Sequence, residues 1–165
     1  MNKIELLIVS TIMTIAFSCN NNKTGISDNK TNKLVGTWKL VSYSDFDSVT
    51  NKWVQPYGEH PQGYFTYTST NIVNLNISHQ NSLKLTEDSA KKHFISYYNL
   101  IENYSFGYFG TYSVDWKKSI VTHHVKGGSV FWYNDTDQPR PFILKGDTLL
   151  IGNLKTKKRV LVRAD

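Results

Sequence analysis

The sequence predicts an all-β protein: an antiparallel barrel or sandwich of about eight strands, with one helix inserted. Three observations point there. Short β-branched and aromatic runs recur at close intervals. Tight polar turns join most of them as hairpins. A single stretch, 86–103, changes its period from two to that of a helix. Parallel α/β folds would need helices alternating with strands, and no repeat of about 20–50 residues is visible.

The chain has 165 residues. Residues 1–18 read as a secretory signal, with Lys3 as a short positive start and Leu6 to Phe17 as the apolar stretch. That stretch is shorter than the ~20 residues a membrane-spanning helix needs. Ala16-Phe17-Ser18-Cys19 resembles a bacterial lipobox, which makes Cys19, the only cysteine, the lipidation site. The reading that competes with it is a plain secretory signal and an unimportant Cys. Residues 19–33 are Asn/Lys-rich with Ile26 as their one large apolar residue, so they read as a flexible tether. The folded domain is then 34–165.

Residues 34–46 read as the first strand, with Trp38, Leu40 and Ser42 on one face and Lys39, Val41 and Tyr43 on the other. Asp45 and Asp47, at its exposed end, read as solvated charges. Prolines and glycines between Pro56 and Gly63 punctuate a loop. Tyr64 to Thr68 and Ile72 to Ser78 pair across a Ser/Thr/Asn turn, and the second alternates cleanly, as a sheet with one wet face does. Thr86 is a good N-cap, Glu87 and Asp88 suit a first helical turn, and Ala90, Phe94, Tyr97, Tyr98 and Ile101 form a helical stripe. That helix, 86–103, should cover a sheet or plug a barrel end. Strands resume over 104–115, 119–126, 140–145, 148–152 and 159–163.

The composition limits the function. Hydrophobic residues are 39% and charged residues 19%, which excludes both a disordered polyelectrolyte and a membrane bundle. A single Cys excludes an intrachain disulfide framework or a Cys-based metal site. The net charge is +6, but the lysines are scattered or lie in the tether, so no nucleic-acid stripe forms. Tether lysines suit anionic lipid better. Nucleophile elbows, phosphate loops and dinucleotide fingerprints are missing, and no cofactor is implied.

Several pieces in order carry a family resemblance: Gly36-Thr37-Trp38-Lys39-Leu40-Val41-Ser42, Pro56-Tyr57-Gly58, Gly63 to Tyr67, Phe109 to Val114, Val121 to Val125, Gln138-Pro139-Arg140 and Lys145 to Leu149. Together they resemble the bacterial and fungal lipocalin-like domain family over nearly all of 34–165. The resemblance implies an up-and-down barrel with a ligand cavity. It also implies that Trp38 closes the barrel floor beneath Arg163, where a guanidinium over an indole gains roughly 0.5–2 kcal/mol. The chain departs from the pattern at 127–139, where the family has a Trp-containing loop and this sequence is polar and short.

His123 and His124 are adjacent, so in a strand they face opposite ways and cannot share one metal. Val121 and Val125 flank His123; Thr122 and Lys126 flank His124, whose face reads as wetter. Parity alone leaves open which one enters a polar barrel interior. With Tyr67, Tyr112, Trp132 and Arg140, His123 makes up the candidate ligand-binding set. An inward Arg favours an anionic head group such as a carboxylate. The bland alternatives are that Tyr67 and Tyr112 form cross-strand pairs and that Arg140 pairs with Asp135 or Asp137. No residue reads as catalytic and no spacing reads as a metal site.

The expected protein is a lipid-anchored envelope barrel, on the periplasmic face of the outer membrane or else secreted. It binds a small hydrophobic or amphipathic molecule without turnover. The alternatives are an isomerase or cyclase that uses the cavity, and a structural lipoprotein with a filled barrel. Side chains filling the interior would exclude both ligand readings.

Overall fold

The computed structural model describes residues 32–81 and 104–164, with Thr86 and Asp88 between them. The signal, the lipidation site Cys19, nearly all of the tether and all but Thr86 and Asp88 of the 86–103 helix lie outside the described residues.

Among the described residues, nine strands form a single antiparallel sheet: β1 (Gly36–Asp47), β2 (Lys52–Val54), β3 (Gln62–Tyr67), β4 (Ile72–Ser78), β5 (Ser105–Asp115), β6 (Ile120–Gly128), β7 (Asp137–Lys145), β8 (Thr148–Ile151) and β9 (Lys157–Arg163). From β3 to β9 each strand pairs with the next in sequence, and β1 pairs with both β3 and β9. The sheet therefore closes on itself as an eight-stranded up-and-down barrel. Closure removes the exposed strand edges that invite aggregation. Short β2 is an outlier, pairing only with Asp45–Asp47 at the far end of β1.

Alternation builds the wall. In β4, Val73, Leu75 and Ile77 are buried and Ile72, Asn74 and Asn76 are exposed. In β5, Tyr108, Gly110 and Tyr112 face inward. The β7–β8 hairpin turns on Gly146-Asp147, where Gly146 takes φ +54°, the positive φ a two-residue hairpin turn asks of its first central residue.

Two bulges reset the alternation. In β1, Leu40 pairs with Leu161 but Ser42 with Val160, so Val41 is an extra residue. Trp38 and Leu40 point inward before it; Tyr43 points inward after it. This corrects the sequence pattern, which put Tyr43 on the face of Lys39 and Val41, opposite Trp38 and Leu40. In β6, Phe109 pairs with Gly127 but Gly110 with Val125, which leaves Lys126 as the extra residue. There Gly110 permits a close approach, since a Cβ on it would lie 2.1 Å from the His124 carbonyl oxygen.

β7 begins at Asp137, three residues earlier than the sequence pattern places it. Pro139 and Pro141 lie in a stretch that pairs with β6 on one side, while pairing with β8 starts only at Phe142. A half-paired strand tolerates residues that cannot donate to a ladder.

The connections at one end are short: 68–71, 116–119 and 146–147. Residues 32–35 meet that same end, the floor. There Trp38 and Leu34 are fully buried, and the Trp38 indole N–H donates to the Leu34 carbonyl at 2.8 Å. The longer connections leave from the opposite end, the mouth.

Candidate functional site

The barrel interior divides into a filled floor and a partly open cavity of about 200 Å³. The boundary is His123, from the middle of β6. Its register neighbours Tyr112 on β5 and Gln138 on β7 hold the strand in place, and Val121 and Val125 share its inward face.

His123 is 1% exposed. Its Nε2 lies 2.9 Å from the Tyr67 hydroxyl and its Nδ1 lies 2.7 Å from the Tyr108 hydroxyl. Burial, with smaller contributions from Arg140 and His124, pushes its pKa down to about 3. The ring is therefore neutral at ordinary pH, with one nitrogen donating and the other accepting. The two phenols are shifted the opposite way. Burial raises Tyr67 well above the ordinary tyrosine range and pushes Tyr108 up to about 12. His124 faces outward, between Ser113 at 3.0 Å and Asp137 at 2.6 Å.

Above His123 the wall has two characters. Phe65, Leu75 and Phe106 line the cavity from β3 to β5, and Ile151 from β8 adds an apolar residue between the two arginine strands. Arg140, Arg159 and three tyrosines, Tyr43, Tyr108 and Tyr133, supply the polar groups. Arg159 is almost fully buried. Its guanidinium carbon sits 3.6 Å from the Tyr43 ring centroid, and its Nη1 reaches Asp45 Oδ1 at 2.7 Å and the Ser44 carbonyl at 3.0 Å. That ion pair is the sole partner of this buried Asp45 oxygen. Asp45 is thus no solvated charge, as its position near the strand end suggests; the Val41 bulge turns it toward Arg159. Arg140 lies 5.9 Å from the Tyr133 ring centroid and donates to Gln138 Oε1 at 3.2 Å. Burial opposes its charge, but Tyr108 and Tyr133 outweigh that and leave its pKa raised.

The candidate residues separate by depth. His123 and Arg140 line the cavity. Tyr67 touches it only through His123. Tyr112 is buried below, in edge-to-face contact with Tyr67 at 5.0 Å, its hydroxyl donating to the Thr68 carbonyl at 2.8 Å and accepting from Asn32 at 2.9 Å. Those two tyrosines come from β3 and β5, with β4 between, so they meet across the interior rather than as a cross-strand pair. Trp132 lies in the 3₁₀ turn Phe131–Tyr133 and is 56% exposed; the cavity takes its neighbour Tyr133 instead. Arg140 pairs with neither Asp135, which meets Lys126 at 3.1 Å, nor Asp137, which meets His124.

Trp38 and Arg163 come together on the floor. The Arg163 guanidinium carbon lies 4.2 Å from the indole centroid and its nitrogens donate to the Val35 and Lys33 carbonyls, both at 3.0 Å. Lys33 and Asn32, read from sequence as the end of the tether, therefore contribute to the floor.

Sequence reasoning missed Tyr43, Asp45, Tyr108, Tyr133 and Arg159. Tyr108 was within reach, four residues before Tyr112 on the same strand face. Arg159 was within reach too, four residues before Arg163 on one face of β9, whereas Tyr43 and Asp45 depend on the β1 bulge and Tyr133 on loop geometry. Among the described residues, no group of three or more His, Cys, Asp or Glu side chains is placed to hold a metal ion.

A family model for a lipocalin-like domain matches residues 35–162. No curated protein and no solved structure matches the chain.

Proposed function

From the chain's membership of the lipocalin-like domain family, we propose that it is an envelope carrier that holds one small amphipathic molecule in the upper barrel and releases it unchanged. The observation that carries this reading is the partly open cavity above His123, lined by both apolar and polar side chains. An eight-stranded barrel has room either for side chains alone or for side chains and one small ligand. Here the floor takes the first course and the mouth the second. The cavity is smaller than the about 300–1,000 Å³ of drug-sized pockets. It suits a compact molecule, or a head group whose chain continues toward the mouth.

The state of His123 supports binding without turnover. Both its ring nitrogens are engaged, and a base held near pKa 3 is poorly matched to proton transfer at neutral pH. Tyr108, pushed to about 12, is a poor acid under the same conditions.

In this reading Cys19 carries the lipid anchor and the Asn/Lys-rich tether holds the barrel off the periplasmic face of the outer membrane. More than one acyl chain makes such an anchor stable. Native mass spectrometry of the full chain, extracted from membranes, tests the carrier. A bound amphiphile leaving with unaltered mass is the expected result, and an empty barrel or a chemically converted ligand would overturn it. The anchor is tested by Cys19→Ser, which should move the protein out of the membrane fraction.

A further inference from the structure

The cavity holds two arginines near tyrosine rings, and only one of them carries a carboxylate. Arg159 lies against Tyr43 and carries the Asp45 carboxylate at 2.7 Å. Arg140 lies more loosely near Tyr133, 5.9 Å from its ring centroid, and no carboxylate of the described residues pairs with it. Its partners are neutral: the Gln138 amide oxygen and the neighbouring phenols. His123 beside it is neutral too. A half-buried guanidinium without a counter-charge is costly unless something pairs with it. Arg159 is already balanced, and Lys157 on the rim is exposed and screened by water. Among the described residues the cavity is thus short of one negative charge, at Arg140.

We propose that the ligand is a carboxylate-bearing amphiphile, its carboxylate seated on Arg140 beside Tyr108 and Tyr133 and its apolar body against Phe65, Leu75, Phe106 and Ile151. The ligand does for Arg140 what Asp45 does for Arg159. A planar carboxylate matches the guanidinium fork. A phosphate monoester would bring a charge of about −1.5 to −2 against one uncompensated cation and leave an excess inside the barrel. This inference rests on the carrier reading above and adds the chemistry of the head group.

The test compares octanoate, 1-octanol and octyl phosphate as probes on the full chain in lipid nanodiscs, read against empty discs. Octanoate should bind about tenfold or more tightly than octanol, the scale of one hydrogen-bonded charge pair. Arg140→Gln should bring that ratio close to one while octanol binding stays, and Arg140→Lys should keep part of it. Tyr133→Phe, a milder change at a half-buried position, should narrow the ratio and so decides the matter if Arg140→Gln does not fold. Equal binding of octanol and octanoate, or a ratio that Arg140→Gln leaves unmoved, overturns the carboxylate inference and leaves the carrier standing. Octyl phosphate binding more tightly than octanoate overturns the choice of a monoanion. Saturable binding by none of the three overturns the carrier reading, and the inference with it.

Discussion

The floor and the mouth of this barrel are made from the same eight strands, yet they treat polar groups in opposite ways. Around Trp38, Leu34, Tyr67 and Tyr112 the interior is full, and the polar tips close on neighbours: the indole on Leu34, the Tyr112 hydroxyl on Thr68 and Asn32. Toward the mouth, two guanidiniums, one carboxylate and several phenols surround open space. The floor stabilises the fold. The mouth keeps charge partly desolvated, which works against stability, as expected where a site is kept for a ligand. His123 is the hinge of the comparison, sealing the floor with its Tyr67 contact and capping the cavity with its Tyr108 contact.

The largest effect should come from acid. The folded pKa of His123, about 3, lies below the ordinary 6.5. Below about pH 6.5 the unfolded chain therefore gains a proton that the folded chain refuses. The contribution of this histidine is fully present above that pH and is lost as pH falls toward 3. Over the whole window it amounts to on the order of 5 kcal/mol. The groups facing the ring are Tyr67 from β3, Tyr108 from β5 and Arg140 from β7, with His124 beside it on β6. Urea unfolding between about pH 7 and pH 4.5 should show a steep loss that His123→Gln flattens; identical slopes in the two proteins would remove His123 from its place at the boundary.

Next in size is the floor itself. Trp38→Ala empties the most deeply buried aromatic position and takes the partner from Arg163, so it should cost about 3–5 kcal/mol in chemical denaturation. A loss under about 1 kcal/mol would mean that the floor does not carry the stability assigned to it.

The smallest effect should come from the mouth. Arg140→Met replaces an uncompensated guanidinium with an apolar chain of similar length. Changes of that kind are often neutral or stabilising, so unfolding should shift by no more than about 1 kcal/mol in either direction. A loss as large as that of Trp38→Ala would erase the distinction between the two halves.

Legibility in the sequence follows the same division. β4 is readable to the residue, because Val73, Leu75 and Ile77 alternate with polar neighbours against a single dry interior. The floor pair Trp38 and Arg163 is reachable through the motif at the start of β1. The mouth is harder to read. Tyr43 and Asp45 turn inward only because Val41 is an extra residue, and nothing in the local pattern marks it, since bulged and unbulged strands use the same residue types. β2 is three exposed residues held by pairing with the end of β1 and by the edge-to-face contact of Trp53 with Phe46. Tyr133 rather than Trp132 enters the cavity because the 3₁₀ turn sets their directions.

The sequence by itself determined the class: short alternating strands joined by tight turns can bury their apolar faces only in an antiparallel layer. Its ordered motifs narrowed that layer to a lipocalin-like barrel over 35–162. Only the tertiary structure decided which polar groups meet. Register, two bulges and closure of β1 on β9 brought Asp45 to Arg159, two tyrosines to His123, and no carboxylate of the described residues to Arg140. Side-chain alternation is local and survives in sequence, whereas charge pairing across a closed barrel depends on strands more than a hundred residues apart.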